Sequence, residues 1–262
     1  MSESDPIAAT ASAVAAILVA RRRSGEQGPR LPECCRPSGL DAALAIQAAV
    51  SAQLGAGVAG WKCGLPAAGN WVLAPIYAGT VHTIGAGVRC ALQARAGQAR
   101  VEPELAFILG RDLPVRDRPY SPAEVDAAIA RTHLALELID SRYSDPHDAS
   151  FAENLADGLL NSGLFIGPQA DAGQARAASA MAITITIASG EQTRLDGRHP
   201  SGDPRAPLYW LTEFLRSKGL GLQAGQAVIT GSYAGTFDLP LGQDIAIQYG
   251  ELGTLTVHFV RR

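Results

Sequence analysis

Lysine is nearly missing from this chain. Lys62 and Lys218 are the only two among 22 basic residues, so the other 20 are arginine. Alanine and glycine are abundant too, which reads as a coding bias toward arginine, and a lysine kept under that bias invites a functional question. Charge is scarce overall, with 18% of residues ionisable as Asp, Glu, Lys or Arg and a net charge of −3. No Lys/Arg block offers a phosphate-binding surface, which disfavours a nucleic-acid partner. The basic run Arg21-Arg22-Arg23 falls where a helix ends, and cations suit the macrodipole there.

Other absences exclude whole classes. Segment 7–20 (IAATASAVAAILVA) is apolar but too short to span a bilayer. Glu3 and Asp5 precede it in place of a basic region, and no small-residue cleavage site follows. It reads as a folded helix, so the expectation is a cytoplasmic protein with no membrane partner. Four cysteines (Cys34, Cys35, Cys63 and Cys90) match no zinc spacing, and neighbours such as Cys34 and Cys35 rarely bridge each other. They read as free thiols of a reducing compartment, with Cys63 in the core. His82, His133, His147, His199 and His258 are scattered without metal-ligand spacing. No G-x-G-x-x-G follows a strand, and there is no P-loop, no G-x-S-x-G elbow and no internal repeat, so dinucleotide, triphosphate and serine-hydrolase readings lose support.

What is present is a chain of 262 residues, 47% of them apolar, enough to bury a substantial core. Asp5-Pro6 reads as the cap and first position of a helix that carries Ile7, Ala11, Val14 and Leu18 on one face and stops at Gly25. A second helix runs from about Ser38 to Leu54 and ends at Gly55 and Gly57. The first 57 residues therefore form a small helical layer, and residues 58–262 form a β-rich domain. Within it, Val58–Leu65, Val101–Leu109, Leu134–Ile139, Leu164–Ile166, Met181–Ala188, Ala227–Thr230, Ile245–Tyr249 and Thr254–Val260 read as strands. Ser121-Pro-Ala-Glu124 is a capping box that opens a helix to about Arg131. Another helix is expected around 150–161, and a third after Asp203-Pro204, with Leu208, Leu211 and Leu215 on one face. Strands with interspersed helices and no strict βα alternation make the class α+β.

Three places could carry chemistry. In Val101-Glu102-Pro103-Glu104-Leu105-Ala106-Phe107, strand alternation puts Glu102 and Glu104 on one face, roughly 7 Å apart at Cα. Two carboxylates so placed repel each other unless a cation lies between them, and an oxygen-only site suits Mg2+ or Mn2+. A solvated strand face is the competing explanation. Glu137 stands in the apolar strand Leu134-Ala-Leu-Glu137-Leu-Ile. A carboxylate buried there needs a metal or an ion pair, Arg142 being one candidate. Lys62, in Gly60-Trp61-Lys62-Cys63-Gly64, is expected to be partly desolvated; its pKa should then fall and make it a usable acid or base, unless it only covers apolar surface. Thr230-Gly231-Ser232 follows a strand and could hold a carboxylate through hydroxyls and backbone N–H groups.

In order along the chain, these segments resemble the 2-keto-4-pentenoate hydratase and 4-oxalocrotonate decarboxylase group of the fumarylacetoacetate hydrolase superfamily. The resemblance rests on Leu44-Ala-Ile-Gln47, Gly60-Trp-Lys62-Cys-Gly64, Val101-Glu102-Pro-Glu104-Leu-Ala-Phe107, Leu136-Glu137-Leu-Ile-Asp140-Ser-Arg142-Tyr143, the Asp203-Pro204 to Trp210-Leu211 helix and Gly225-Gln-Ala-Val-Ile-Thr-Gly231-Ser232. It implies the mixed β-roll of that superfamily behind a small helical domain, and commonly a homo-oligomer. It also implies metal ligands at Glu102, Glu104 and Glu137, with Lys62 as acid/base or carboxylate contact. One stretch departs. Where the family often has Asp-Asn-Ala-Ser, this chain reads Asp157-Gly158-Leu159-Leu160-Asn161-Ser162, so Asn161 or Ser162 would have to serve the substrate instead. The His/Glu pair of the superfamily's C–C bond hydrolases is not seen.

The leading expectation is a hydratase of a 2-hydroxy-2,4-dienoate, in which a divalent metal chelates the C1 carboxylate and C2 oxygen as a Lewis acid. The second is a decarboxylase of a 2-oxo-3-enedioate. The third is a weakly catalytic binding subunit that supports a partner enzyme of the same pathway.

Overall fold

The computed structural model describes residues 6–67, 69–85 and 87–262. Asp5, the expected first cap, lies outside them. Helix α1 (Pro6–Ser24) ends at Gly25, and α2 (Leu40–Leu54) ends at Gly55. Both glycines have positive φ (73° and 63°), the left-handed stop that costs glycine least. The strands and short helices that follow are β1 (Val58–Cys63), β2 (Leu73–Tyr77), β3 (Val81–Thr83), β4 (Arg89–Leu92), β5 (Gln98–Leu109), α3 (Pro122–Asp126), β6 (Ile129–Ile139), α4 (Phe151–Ala156) and β7 (Asn161–Ala170). Next come α5 (Ala172–Ala177), β8 (Ala180–Ile187), β9 (Gln192–Arg198), α6 (Ala206–Ser217), β10 (Ala227–Ile229), β11 (Phe237–Pro240), β12 (Asp244–Tyr249) and β13 (Thr254–Arg261).

The architecture is the expected α+β roll. One mixed sheet runs β2-β1-β10-β5-β6-β7-β3, with β11 added to the outer half of β5. Its end strand β2 packs back against β7, which curls the sheet on itself. A second sheet, β4-β13-β12-β8-β9, covers the convex face. Between the sheets Phe107, Phe165, Phe259 and Tyr249 are fully buried, with Val101, Leu105, Leu134, Leu136, Ile245 and Ile247. Each such side chain removed from water contributes roughly 1.5–3 kcal/mol, so this layer anchors the roll. The concave face holds a smaller apolar floor of Ile76, Ala106, Ala135, Leu164 and Ile229. A third cluster joins α1 and α2 to α4, Tyr77 and Tyr143. The helical layer therefore extends past residue 57 into the segment around 143–156. Among the described residues no helix is long and apolar enough to cross a membrane.

Several boundaries differ from the periodicity. The capping box at Ser121 and Glu124 forms, yet α3 stops at Asp126 and the chain enters β6 at Ile129. Pairing with β5 along the whole of β6 outweighs the local helical preference. The helix expected over 150–161 ends at Ala156, because Gly158, Leu159 and Leu160 all turn left-handed before β7 begins. The helix after Asp203-Pro204 starts at Ala206, with Arg205 as its cap. The short strands β2, β3, β4 and β11 are not among the expected elements, nor are α5 and β9. Helix α5 is six residues long with little apolar signal, and β9 is an edge strand of mostly exposed polar residues.

Candidate active site

Register on β5 and β6 builds the site. Glu102 on β5 pairs directly with Glu137 on β6, and Glu104 pairs with Ala135. Alternation turns all three glutamates to the concave face. One carboxylate oxygen from each lies within 4.8 Å of the other two. The surroundings are uneven: Glu137 is fully buried and Glu104 nearly so, while Glu102 is partly exposed and sits at the mouth.

Each carboxylate is oriented by a neighbour. The Gly231 N–H donates to Glu104 Oε2 (2.7 Å). The Thr236 hydroxyl donates to Glu102 Oε1. Asn161 Nδ2 donates to Glu137 Oε1 (2.9 Å), and Lys62 Nζ lies 2.7 Å from the same oxygen. Glu137 Oε2 is buried and has no hydrogen-bond partner among the described residues. A buried carboxylate oxygen without a donor costs several kcal/mol unless a cation faces it. Burial, together with Glu137 and Glu102, pushes the Glu104 carboxyl well above its ordinary value, and burial raises Glu137 as well. If ionised, three carboxylates and one lysine leave two uncompensated negative charges, the deficit a divalent cation would neutralise. The all-oxygen donor set and the unpartnered Glu137 oxygen therefore fit Mg2+ or Mn2+.

Lys62 departs from its expected chemistry. It comes from β1, which pairs with β10 on one side and β2 on the other. Its side chain is 12% exposed, and Nζ also donates to the Leu159 carbonyl (3.1 Å). Burial pulls its pKa down, but Glu137, Glu102 and Glu104 more than offset that, and the net direction is upward. Lys62 therefore stands as a held cation. Desolvation was legible in its neighbours; the opposing carboxylates were not. Arg142, the candidate partner for Glu137, instead forks onto Asp157 (2.8 Å to each oxygen).

The remaining expected contacts divide. Asn161 reaches the site through Glu137. Ser162, its half-buried neighbour on β7, donates to none of the three glutamates among the described residues. The Thr230 hydroxyl is buried and donates to the Pro204 carbonyl (2.7 Å), with His199 Nε2 at 3.3 Å. Ser232 Oγ lies 3.0 Å from the Gly235 carbonyl. In the 230–232 turn it is the Gly231 backbone that meets a glutamate. Thr236 was not anticipated, since nothing in its local pattern marks it.

Comparison with known proteins follows this geometry. The family model for the fumarylacetoacetate (FAA) hydrolase C-terminal region matches residues 64–260. A 2-keto-4-pentenoate hydratase of Paraburkholderia phymatum is 29% identical over 161 residues, covering 62% of this chain and 56% of that protein. A 4-oxalocrotonate decarboxylase of a Pseudomonas species is 26% identical over 164 residues, covering 60% of this chain and 59% of that one. The aligned stretch thus spans a little over half the length of these curated relatives. The solved 4-oxalocrotonate decarboxylase from Pseudomonas putida G7, complexed with magnesium and adipate, superposes with a TM-score of 0.75. That superposition covers 95% of this chain and 97% of the other at 18% identity, a likeness of fold.

Proposed function

Because this chain belongs to the fumarylacetoacetate hydrolase C-terminal family, we propose that it is a metal-dependent hydratase that adds water to a 2-hydroxy-2,4-dienoate to give a 4-hydroxy-2-oxo acid. The unpartnered Oε2 of Glu137, buried among three glutamates, carries this reading. Glu102, Glu104 and Glu137 would hold Mg2+ or Mn2+, which supplies Lewis-acid polarisation of a 2-oxo acid when bound. Lys62, fixed by Glu137 and the Leu159 carbonyl, serves as a carboxylate contact and proton donor. Asn161 keeps Glu137 Oε1 occupied, so that Oε2 is the oxygen presented to the cation. The apolar floor of Ile76, Ala106, Ala135, Leu164 and Ile229 suits the carbon chain of a dienoate. A homo-oligomer belongs to the same proposal.

One observation favours a second reading, decarboxylation of a 2-oxo-3-enedioate. A cleft of about 320 Å3, whose walls include Arg95, Arg100, Ile139 and Leu160, opens beside the site. Arg100 is two residues from Glu102 on β5, so both face the same side, roughly 7 Å apart at Cα. Arg95 and Arg100 are forked through Nε and Nη2 onto Asp140 and Asp238, which holds each guanidinium still and leaves its Nη1 edge for a second carboxylate.

Calorimetry with Mg2+ and Mn2+ on the wild type and on Glu104→Ala tests the metal centre. Binding by the wild type and none by the variant is expected; no binding by either, even with oxalate or pyruvate present, overturns it and leaves the binding-subunit reading in front. With metal bound, turnover of 2-hydroxypenta-2,4-dienoate supports the hydratase, whereas CO2 released from 4-oxalocrotonate supports the decarboxylase.

A further inference from the structure

The turn between α4 and β7 is held in an unfavourable conformation. Gly158, Leu159 and Leu160 have φ of 83°, 51° and 67°, three successive left-handed residues of which two are leucines. A left-handed L-residue costs roughly 1–2 kcal/mol, so the two leucines hold this shape only because their surroundings impose it. The constraints are on the backbone. The Leu159 N–H donates to the Asn154 carbonyl (2.7 Å), and the Asp140 N–H donates to the Leu160 carbonyl (2.9 Å). One side chain reaches both residues that bracket the triplet, while Arg142 Nη2 donates to the Asp157 carbonyl alone (3.2 Å). Arg22 Nη2 donates to the Asp157 carbonyl, and Arg22 Nη1 donates to the Asn161 carbonyl (3.3 Å).

The turn carries the groups that orient the site. The Leu159 carbonyl receives Lys62 Nζ, and Asn161 holds Glu137 Oε1. Arg22 comes from the last turn of α1, far outside the 64–260 family match. It lies beside Asp157, which Arg142 already occupies, and its Nε is buried with no hydrogen-bond partner among the described residues. Two guanidiniums on one buried carboxylate leave a surplus positive charge, an expensive arrangement for stability alone. Burial and then Arg142 lower its pKa to about 10, so it stays charged at neutral pH. Gly158 leaves room for it: a Cβ there would stand 3.1 Å from Arg22 Nη2.

We propose that Arg22 is a positioning residue: by bridging the carbonyls of Asp157 and Asn161 it holds the left-handed turn that sets Lys62 and Glu137 for catalysis. The N-terminal helix thus supports the active site directly. The proposal rests on the metal-site reading above only for the role of Glu137; its effect on Lys62 is independent of metal.

Arg22→Gln and Arg22→Lys test it. Glutamine is shorter and uncharged, and lysine offers one nitrogen where Arg22 uses two, so neither reproduces the two-nitrogen bridge; the lysine keeps a cation beside Asp157 should the glutamine variant fail to fold. The chain's two native lysines provide the readout: amine-reactive labelling of Lys62 relative to Lys218, measured by mass spectrometry. The ratio is expected to rise severalfold in both variants, and Mn2+ affinity to fall about tenfold, the scale of lost outer-shell support at metal sites. Arg23→Gln, whose guanidinium meets the Gln53 carbonyl on the outer face, is the control and should leave both unchanged. Wild-type labelling and wild-type Mn2+ affinity in a folded Arg22→Lys protein overturn the proposal, whatever the change in melting temperature. If the wild type binds no Mn2+, the metal reading fails, and the labelling ratio alone decides for or against Arg22.

Discussion

At the scale of single residues, the site depends on groups placed where they are uncomfortable. Glu137 is buried with a free oxygen, and Glu104 is raised by burial and by its carboxylate neighbours. His199 is a milder case beneath the Thr230–Ser232 turn. Its Nδ1 accepts from the Ser201 N–H (3.2 Å), which leaves Nε2 protonated to donate toward Thr230 Oγ1. Burial lowers its pKa from 6.5 to about 4. The unfolded chain takes up a proton near pH 6.5 while the folded one resists until about pH 4, so stability is lost as pH falls through that window. Denaturant melts between pH 7.5 and 4.5 should show wild type losing about 2–3 kcal/mol more than His199→Gln. Parallel pH profiles for the two proteins would assign the acid loss to other groups.

At the scale of elements, the carboxylate cluster follows from strand register. Glu102 and Glu104 share a face because strands have a period of two, and β6 brings Glu137 opposite Glu102. Lys62 reaches the cluster only because β1 lies close to β10. Gly60 permits that approach, since a Cβ there would collide with the Ala227 carbonyl oxygen. Gly60→Ala should therefore spread β1 from β10 and cost about 2 kcal/mol, lowering the calorimetric melting temperature by roughly 5 °C. An unchanged melting temperature would mean that the two strands tolerate separation, and that Lys62 is not held by this contact.

At the scale of the whole molecule, the helical layer and the roll are not independent. Tyr77, Tyr143, Ala149, Leu155 and Ala156 share a cluster with α1 and α2. The Gln47 amide from α2 donates to the Leu73 and Leu155 carbonyls, joining both bodies. Deleting residues 1–57 along the expected boundary should expose that cluster and leave a protein that binds hydrophobic dye and aggregates in size-exclusion chromatography. A monodisperse, dye-silent 58–262 would instead make the roll a self-sufficient domain.

Local chemistry alone was enough to determine much of this protein. Two glutamates two residues apart on a strand, a glutamate inside an apolar strand and a lysine between tryptophan and cysteine are visible without any fold, because alternation and composition act over a few residues. The α+β class was legible for the same reason. Tertiary structure decided the rest. It chose Lys62 over Arg142 as the partner of Glu137, reversed the expected direction of the Lys62 pKa and brought Arg22 onto a turn that no periodicity describes. Those outcomes depend on contacts between residues 97 and 139 positions apart, such as Lys62 with Leu159 and Arg22 with Asn161. Charge and burial at a site are set by what the fold brings there, and a local pattern carries no record of it.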